Sequence, residues 1–263
     1  MTNTANDKQG LLLVGHGTRD PLGRAEFLQT VALVRERCGG VPVECGFLEL
    51  AEPTIGAGVE AFVRRGVSQI IAAPVLLFAA GHAKEDIPRE LASAANRFPG
   101  VGVCQARPLE CHPAILELSA ERFRAALATT ADESQNCRAT DSTLWILVGR
   151  GSSDPEAIAK VHEFAVARRQ LTPVSQVAVA FVAAAQPRLP QTLVEAATSL
   201  AERIVVQPHL LFHGEVLHEI RNQVSAIAER FPAKQWLVTD HLGVSQKVVE
   251  AILDLAKKCG LGN

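Results

Sequence analysis

Apolar residues along this chain fall in short runs bounded by glycine, proline and polar residues, and longer stretches of helical period lie between them. The runs predict strands near 11–15, 42–48, 68–75 and 101–106, and again near 144–148, 176–182, 203–208 and 235–239. In the first half, helices are predicted near 21–38, 53–65, 82–97 and 112–128. Helix 53–65 has Pro53 at its start and Gly66 just past its end, the asymmetry expected of a helix. Strictly alternating strands and helices imply right-handed crossovers and a mostly parallel sheet covered on both faces, hence an α/β protein.

The pattern is written twice. A shift of 134 residues carries His16 onto Arg150, Phe47 onto Phe181, Pro53 onto Pro187, and Pro74 to Phe78 onto Pro208 to Phe212. After one deletion, Gly81-His82 falls opposite Gly214-Glu215 and Phe98-Pro99 opposite Phe231-Pro232. We therefore expect two similar lobes from an internal duplication, 1–128 and 143–263, facing each other across a cleft. Residues 129–142, TTADESQNCRATDS, are polar and aperiodic and read as a linker.

Composition narrows the function. With 48% hydrophobic and 21% charged residues the chain is an ordinary globular protein. A net charge of −2 gives no electrostatic case for nucleic acid. No run of eighteen apolar residues suggests a membrane span and Met1 to Gly10 is polar, so a cytoplasmic location is expected. The six cysteines (Cys38, Cys45, Cys104, Cys111, Cys137 and Cys259) form no C-x-x-C pair and are expected to be reduced and inert.

Candidate chemistry is confined to the first copy. His16 follows the first strand, Glu49 and Glu52 follow the second, and His82 follows the third. Their counterparts are Arg150, Ala183, Gln186 and Glu215. Histidines serving only packing or capping would be needed equally in both copies. Two imidazoles with a carboxylate suit a borderline divalent metal such as Fe, Co, Ni or Zn. So open a site fits an enzyme that passes its metal on; an open hydrolytic site is the alternative. Phe78-Ala79-Ala80-Gly81 would let a flat ligand approach the backbone. Neither a G-x-S-x-G elbow nor a G-x-G-x-x-G fingerprint is present.

The stretches LLLVGHGTRDP, GFLELAEPTI and PVLLFAAGHAKEDIP resemble the class II tetrapyrrole chelatases, more narrowly the sirohydrochlorin cobaltochelatase/ferrochelatase family in its long two-domain form. The resemblance implies insertion of Co²⁺ or Fe²⁺ (Ni²⁺ is equally acceptable to such ligands) into sirohydrochlorin, for cobalamin or sirohaem. The metal would be a substrate, with no tightly bound cofactor. It implies that His16 and His82 bind the metal, that His16 accepts protons, and that Glu49 lies close by. Glu52 and the loop Leu77, Phe78, Ala79, Ala80, Gly81 and His82 would contact the tetrapyrrole. The substrate's carboxylates call for cations at the rim. Arg19, Arg24, Lys84 and Arg107 are candidates, and so is Arg150, whose guanidinium fork suits a carboxylate. A metal or tetrapyrrole carrier would need the same pocket without turnover. Two lobes in one chain could replace a homodimer and leave the protein a monomer.

The remaining polar residues are read structurally. His112 precedes Pro113 as a helix cap, His162 sits mid-helix, and Trp145 and Trp236 belong to the core. His209, His213 and His218 cluster around the altered loop of the second copy, where secondary metal binding is conceivable.

Overall fold

The computed structural model describes residues 8–78, 80, 82–129, 142–172 and 174–262, with only the backbone described at His82 and Ala83. The expected linker thus lies almost wholly outside the described residues. Among the described residues eight strands and eight helices alternate, and the ends of the strands and of the first four helices fall within one or two residues of those expected. The chain forms two compact units, 1–110 with 244–263 and 111–243.

Unit 1 contains β1 (Gln9–Gly15), α1 (Pro21–Arg37), β2 (Val43–Phe47), α2 (Ile55–Arg64), β3 (Gln69–Pro74), α3 (His82–Asn96), β4 (Gly102–Gln105) and, from the far end of the chain, α8 (Gln246–Lys258). Its sheet is parallel in the order β2-β1-β3-β4. Leu11 to Val14 in the central strand are wholly buried, which is why that strand is apolar without alternation. Leu12, Val14, Ile70 and Ala72 pack on one face against Val59 and Phe62 of α2 and Ile87 and Leu91 of α3. α8 packs on β3 and α1.

Unit 2 repeats the plan with α4 (Pro113–Ala128), β5 (Thr143–Gly149), α5 (Pro155–Arg169), β6 (Gln176–Phe181), α6 (Leu189–Thr198), β7 (Arg203–Pro208), α7 (Glu215–Arg230) and β8 (Gln235–Val238). Its parallel order is β6-β5-β7-β8. His112 caps α4 as expected, its Nδ1 accepting from the Ala114 amide at 3.2 Å, and Trp145 is buried in β5.

The packing units differ from the expected lobes 1–128 and 143–263 at their last helices: α4 packs in unit 2 and α8 in unit 1. Side chains account for this. Trp145 Nε1 donates to Gln207 Oε1 at 2.9 Å, and Gln207 Nε2 donates to the Ser119 carbonyl of α4 at 2.8 Å. The buried guanidinium of Arg168 lies over the rings of Phe123 (α4) and Trp145, its Cζ 5.4 and 5.0 Å from the respective ring centres. A shift of 134 residues puts Leu11, Ala73 and Val34 at the positions of Trp145, Gln207 and Arg168. Those apolar side chains could not replace the bonds that Gln207 Nε2 makes to the Ser119 carbonyl and hydroxyl oxygens.

The cysteines also depart from expectation. Cys104 in β4 and Cys259 at the C-cap of α8 form a disulfide, joining residues 155 positions apart. Both lie in unit 1, where the returning helix brings them together. Cys38 and Cys45 fit the expected inert thiols: both are buried, and burial pushes each thiol up in pKa.

Candidate metal centre

In unit 1 the chain leaves β1 toward β2 on one side and reaches β3 on the other, so the carboxyl ends of β1 and β3 form the switch point of the sheet. Val14 pairs with Pro74 there, and the Val75 amide donates to the Val14 carbonyl at 2.8 Å. His16 is the first residue beyond β1. On its other side the ladder runs past the strand ends: Leu48 N donates to Gly15 O at 2.9 Å and Glu49 N to His16 O at 3.0 Å. Those bonds bring the two side chains to one place, with His16 Nδ1 3.5 Å from Glu49 Oε1. The imidazole is 34% and the carboxylate 55% exposed, so both remain open to solvent. The spacing is at the long limit of a hydrogen bond. A carboxylate beside Nδ1 favours the tautomer with its proton there, leaving the lone pair on Nε2.

The surrounding turns hold this pair. Gly17 turns with φ +102°, Asp20 caps α1 by accepting from the Leu22 and Gly23 amides at 2.8 and 2.9 Å, and Leu50 adopts φ +61°. Arg24, considered for the rim, instead donates to the Glu52 carbonyl at 3.0 Å and so braces the second loop against α1. The Glu52 side chain is exposed, and the Glu52–Pro53 peptide is cis. After β3, the carbonyls of Leu76 and Leu77 accept from Leu109 and Glu110 at 2.9 and 2.8 Å, leaving Leu77, Phe78 and Ala80 half-buried. Ala79 and Gly81 lie outside the described residues, as does the His82 side chain; the His82 backbone opens α3.

Unit 2 reproduces this backbone without its chemistry. Val182 N donates to Gly149 O at 3.1 Å and Ala183 N to Arg150 O at 2.8 Å. Gly151 has φ +93°, Ala184 φ +53°, and Gln186–Pro187 is cis. Exposed Arg150 stands in the place of His16, and Ala183 in that of Glu49. The turn therefore forms without a histidine, so His16 is not required to build it.

Two other polar features lie in unit 2. His209 replaces the buried Val75 of unit 1 and is itself buried against Phe164 with ring centres 4.1 Å apart; burial lowers its pKa to about 3. His213 lies 4.7 Å from His218 and 6.4 Å from His241, ring centre to ring centre. No pattern in the sequence singles out His241, because loop pairing after β7 and β8 brings it there.

Comparison with known proteins follows the sequence repeat rather than the two packing units. The CbiX family model matches residues 10–126 and again 144–259. The chain is 33% identical to the sirohydrochlorin ferrochelatase of Priestia megaterium over 247 residues, 92% of this chain and 87% of that protein. The sirohydrochlorin cobaltochelatase of Methanosarcina barkeri is 34% identical over 128 residues, 98% of its length but 46% of this chain. Among solved structures, SirB from Bacillus subtilis with Fe³⁺ superposes with a TM-score of 0.84 at 28% identity, covering 96% of this chain and 95% of that one. Among the described residues, no helix is long and apolar enough to cross a membrane.

Proposed function

The chain belongs to the CbiX family, and on that premise we propose that it inserts a divalent metal, Co²⁺ or Fe²⁺, into sirohydrochlorin, as a lyase-class chelatase. The observation that carries this reading is the His16–Glu49 pair at the sheet's switch point, set on a backbone that unit 2 repeats without either side chain.

In the reaction two pyrrole N–H protons leave the macrocycle and M²⁺ takes their place, so charge balances. His16 and His82 hold the incoming ion. Glu49, at His16 Nδ1, keeps Nε2 directed at the incoming ion; once the ion has passed to the ring nitrogens, the freed Nε2 takes one of the two ring protons and solvent takes the other. Imidazole is suited to this because its unperturbed pKa is about 6.5, near working pH. Glu52 and the loop Leu77 to Gly81 receive the ring, whose face needs the small residues at 79–81. Arg150 takes a substrate carboxylate with its guanidinium fork. The chain works as a monomer in the cytoplasm, its second unit standing in for the partner copy of half-length relatives, and the metal decides whether the product leads to cobalamin or sirohaem.

Anaerobic absorbance assays of sirohydrochlorin with Co²⁺ or Fe²⁺ test the proposal. Wild-type protein should metallate the ring faster than the uncatalysed control, His16→Ala and His82→Ala should not, and Arg150→Ala should raise KM. A bound-substrate spectrum that never develops into metallated product would instead identify a carrier.

A further inference from the structure

We propose that unit 2 carries a divalent-metal site of its own, formed by His213 and His218. Both proposed ligands belong to unit 2, and the proposal stands whether or not the His16 site inserts metal.

The two imidazoles approach because of how α7 begins. His213 ends the loop that follows β7, and Gly214 caps the helix, accepting from the amides of Leu217 and His218 at 3.0 and 3.3 Å. This fixes His218 in the first turn, where it is exposed, and turns it back over the loop. The rings stand 4.7 Å apart with planes at 84°. Two imidazoles bonded at about 2.1 Å to adjacent positions of one ion have centres roughly 5 Å apart, close to the observed spacing, and the two rings offer ligand nitrogens within 4.8 Å of each other. Among the described residues, a Cβ built on Gly214 meets nothing within 4 Å.

His241 is the neighbour and not a ligand. The Leu242 and Gly243 amides donate to the Leu210 and Leu211 carbonyls at 3.0 and 2.8 Å, which brings His241 alongside the loop. Its ring centre is 6.4 Å from that of His213, beyond the spacing of adjacent ligands. Water would fill the remaining positions.

Packing does not account for the pair. In unit 1 the same positions hold Ala79 and Glu85, and an exposed His218 has no core to fill. A helix N-terminus disfavours a cation, but Glu215 in the first turn of α7 offsets that field. Two neutral imidazoles in an open setting suit Co²⁺, Ni²⁺, Cu²⁺ or Zn²⁺, held reversibly.

The test is calorimetric titration of the full chain with Co²⁺ alone, on a His16→Ala/His82→Ala background so that only unit 2 can respond. That background should still bind one equivalent. Adding His213→Ala, or the milder His218→Gln at the exposed position, should weaken binding by about tenfold or more, whereas His241→Ala should change it less than about twofold, each variant being checked for folding by circular dichroism. A background that binds no Co²⁺, or an isotherm unmoved by both ligand substitutions, would overturn the proposal. Loss of insertion by wild-type protein with this equivalent intact would count against the chelatase reading alone.

Discussion

Gly17 and Glu49 meet backbone to backbone: a Cβ on Gly17 would overlap the Glu49 carbonyl oxygen. Gly151 and Ala183 stand in the same relation in unit 2. Only glycine allows the first turn to cross so close to the second loop at a φ near +100°. Gly17→Ala and Gly151→Ala should each destabilise the protein by about 2–4 kcal/mol, measured by urea unfolding. Of the two, Gly17→Ala should also lower insertion per folded molecule, since it displaces His16 from Glu49. Equal activity in both variants would show that this crossing does not position the site.

In the mechanism we propose, Glu49 acts through His16, 3.5 Å away. Glu49→Gln keeps the shape but removes the negative charge beside His16 Nδ1. It should lower kcat by about 10–100-fold with little change in KM, and Glu49→Asp should recover part of the loss. Steady-state insertion kinetics give both constants, and a change confined to KM would assign Glu49 to ring binding instead.

Acid stability should reflect His209. Its pKa of about 3 in the fold lies below the roughly 6.5 of an unfolded imidazole, so the unfolded chain binds the extra proton between those values. The stability from keeping it neutral is present above pH 6.5 and is lost as pH falls toward 3, at up to about 1.4 kcal/mol per pH unit. His209→Phe, which keeps a ring against Phe164, should flatten this limb of the stability profile. Parallel acid limbs in the variant and wild type would place the proton linkage elsewhere.

The disulfide between Cys104 and Cys259 ties α8 to the edge strand of unit 1. Reduction of the unfolded chain should release two further thiols. Cys259→Ser should lower stability by about 2–4 kcal/mol and speed amide exchange in α8 before the rest of unit 1. If α8 exchanges at the same rate without the link, the helix is held by packing on β3 and α1 alone.

Much of the protein was legible in its sequence because local physics governs those parts. Buried parallel strands need unbroken apolar runs such as Leu11 to Val14, and Asp20 caps α1 from a fixed offset, so element order and the repeat follow from spacing alone. Setting His16 and Glu49 against Arg150 and Ala183 singled out a pair that the structure brings within 3.5 Å, since a duplicated backbone carries both sets of side chains. Other relations depend on residues far apart in the chain and leave no periodic trace. The docking of α4 through Ser119, Gln207, Trp145 and Arg168 is one, the Cys104–Cys259 pairing a second, and the approach of His241 to His213 a third. Period and capping are set within a few residues, whereas which helix covers which sheet is decided only when whole faces compete for burial.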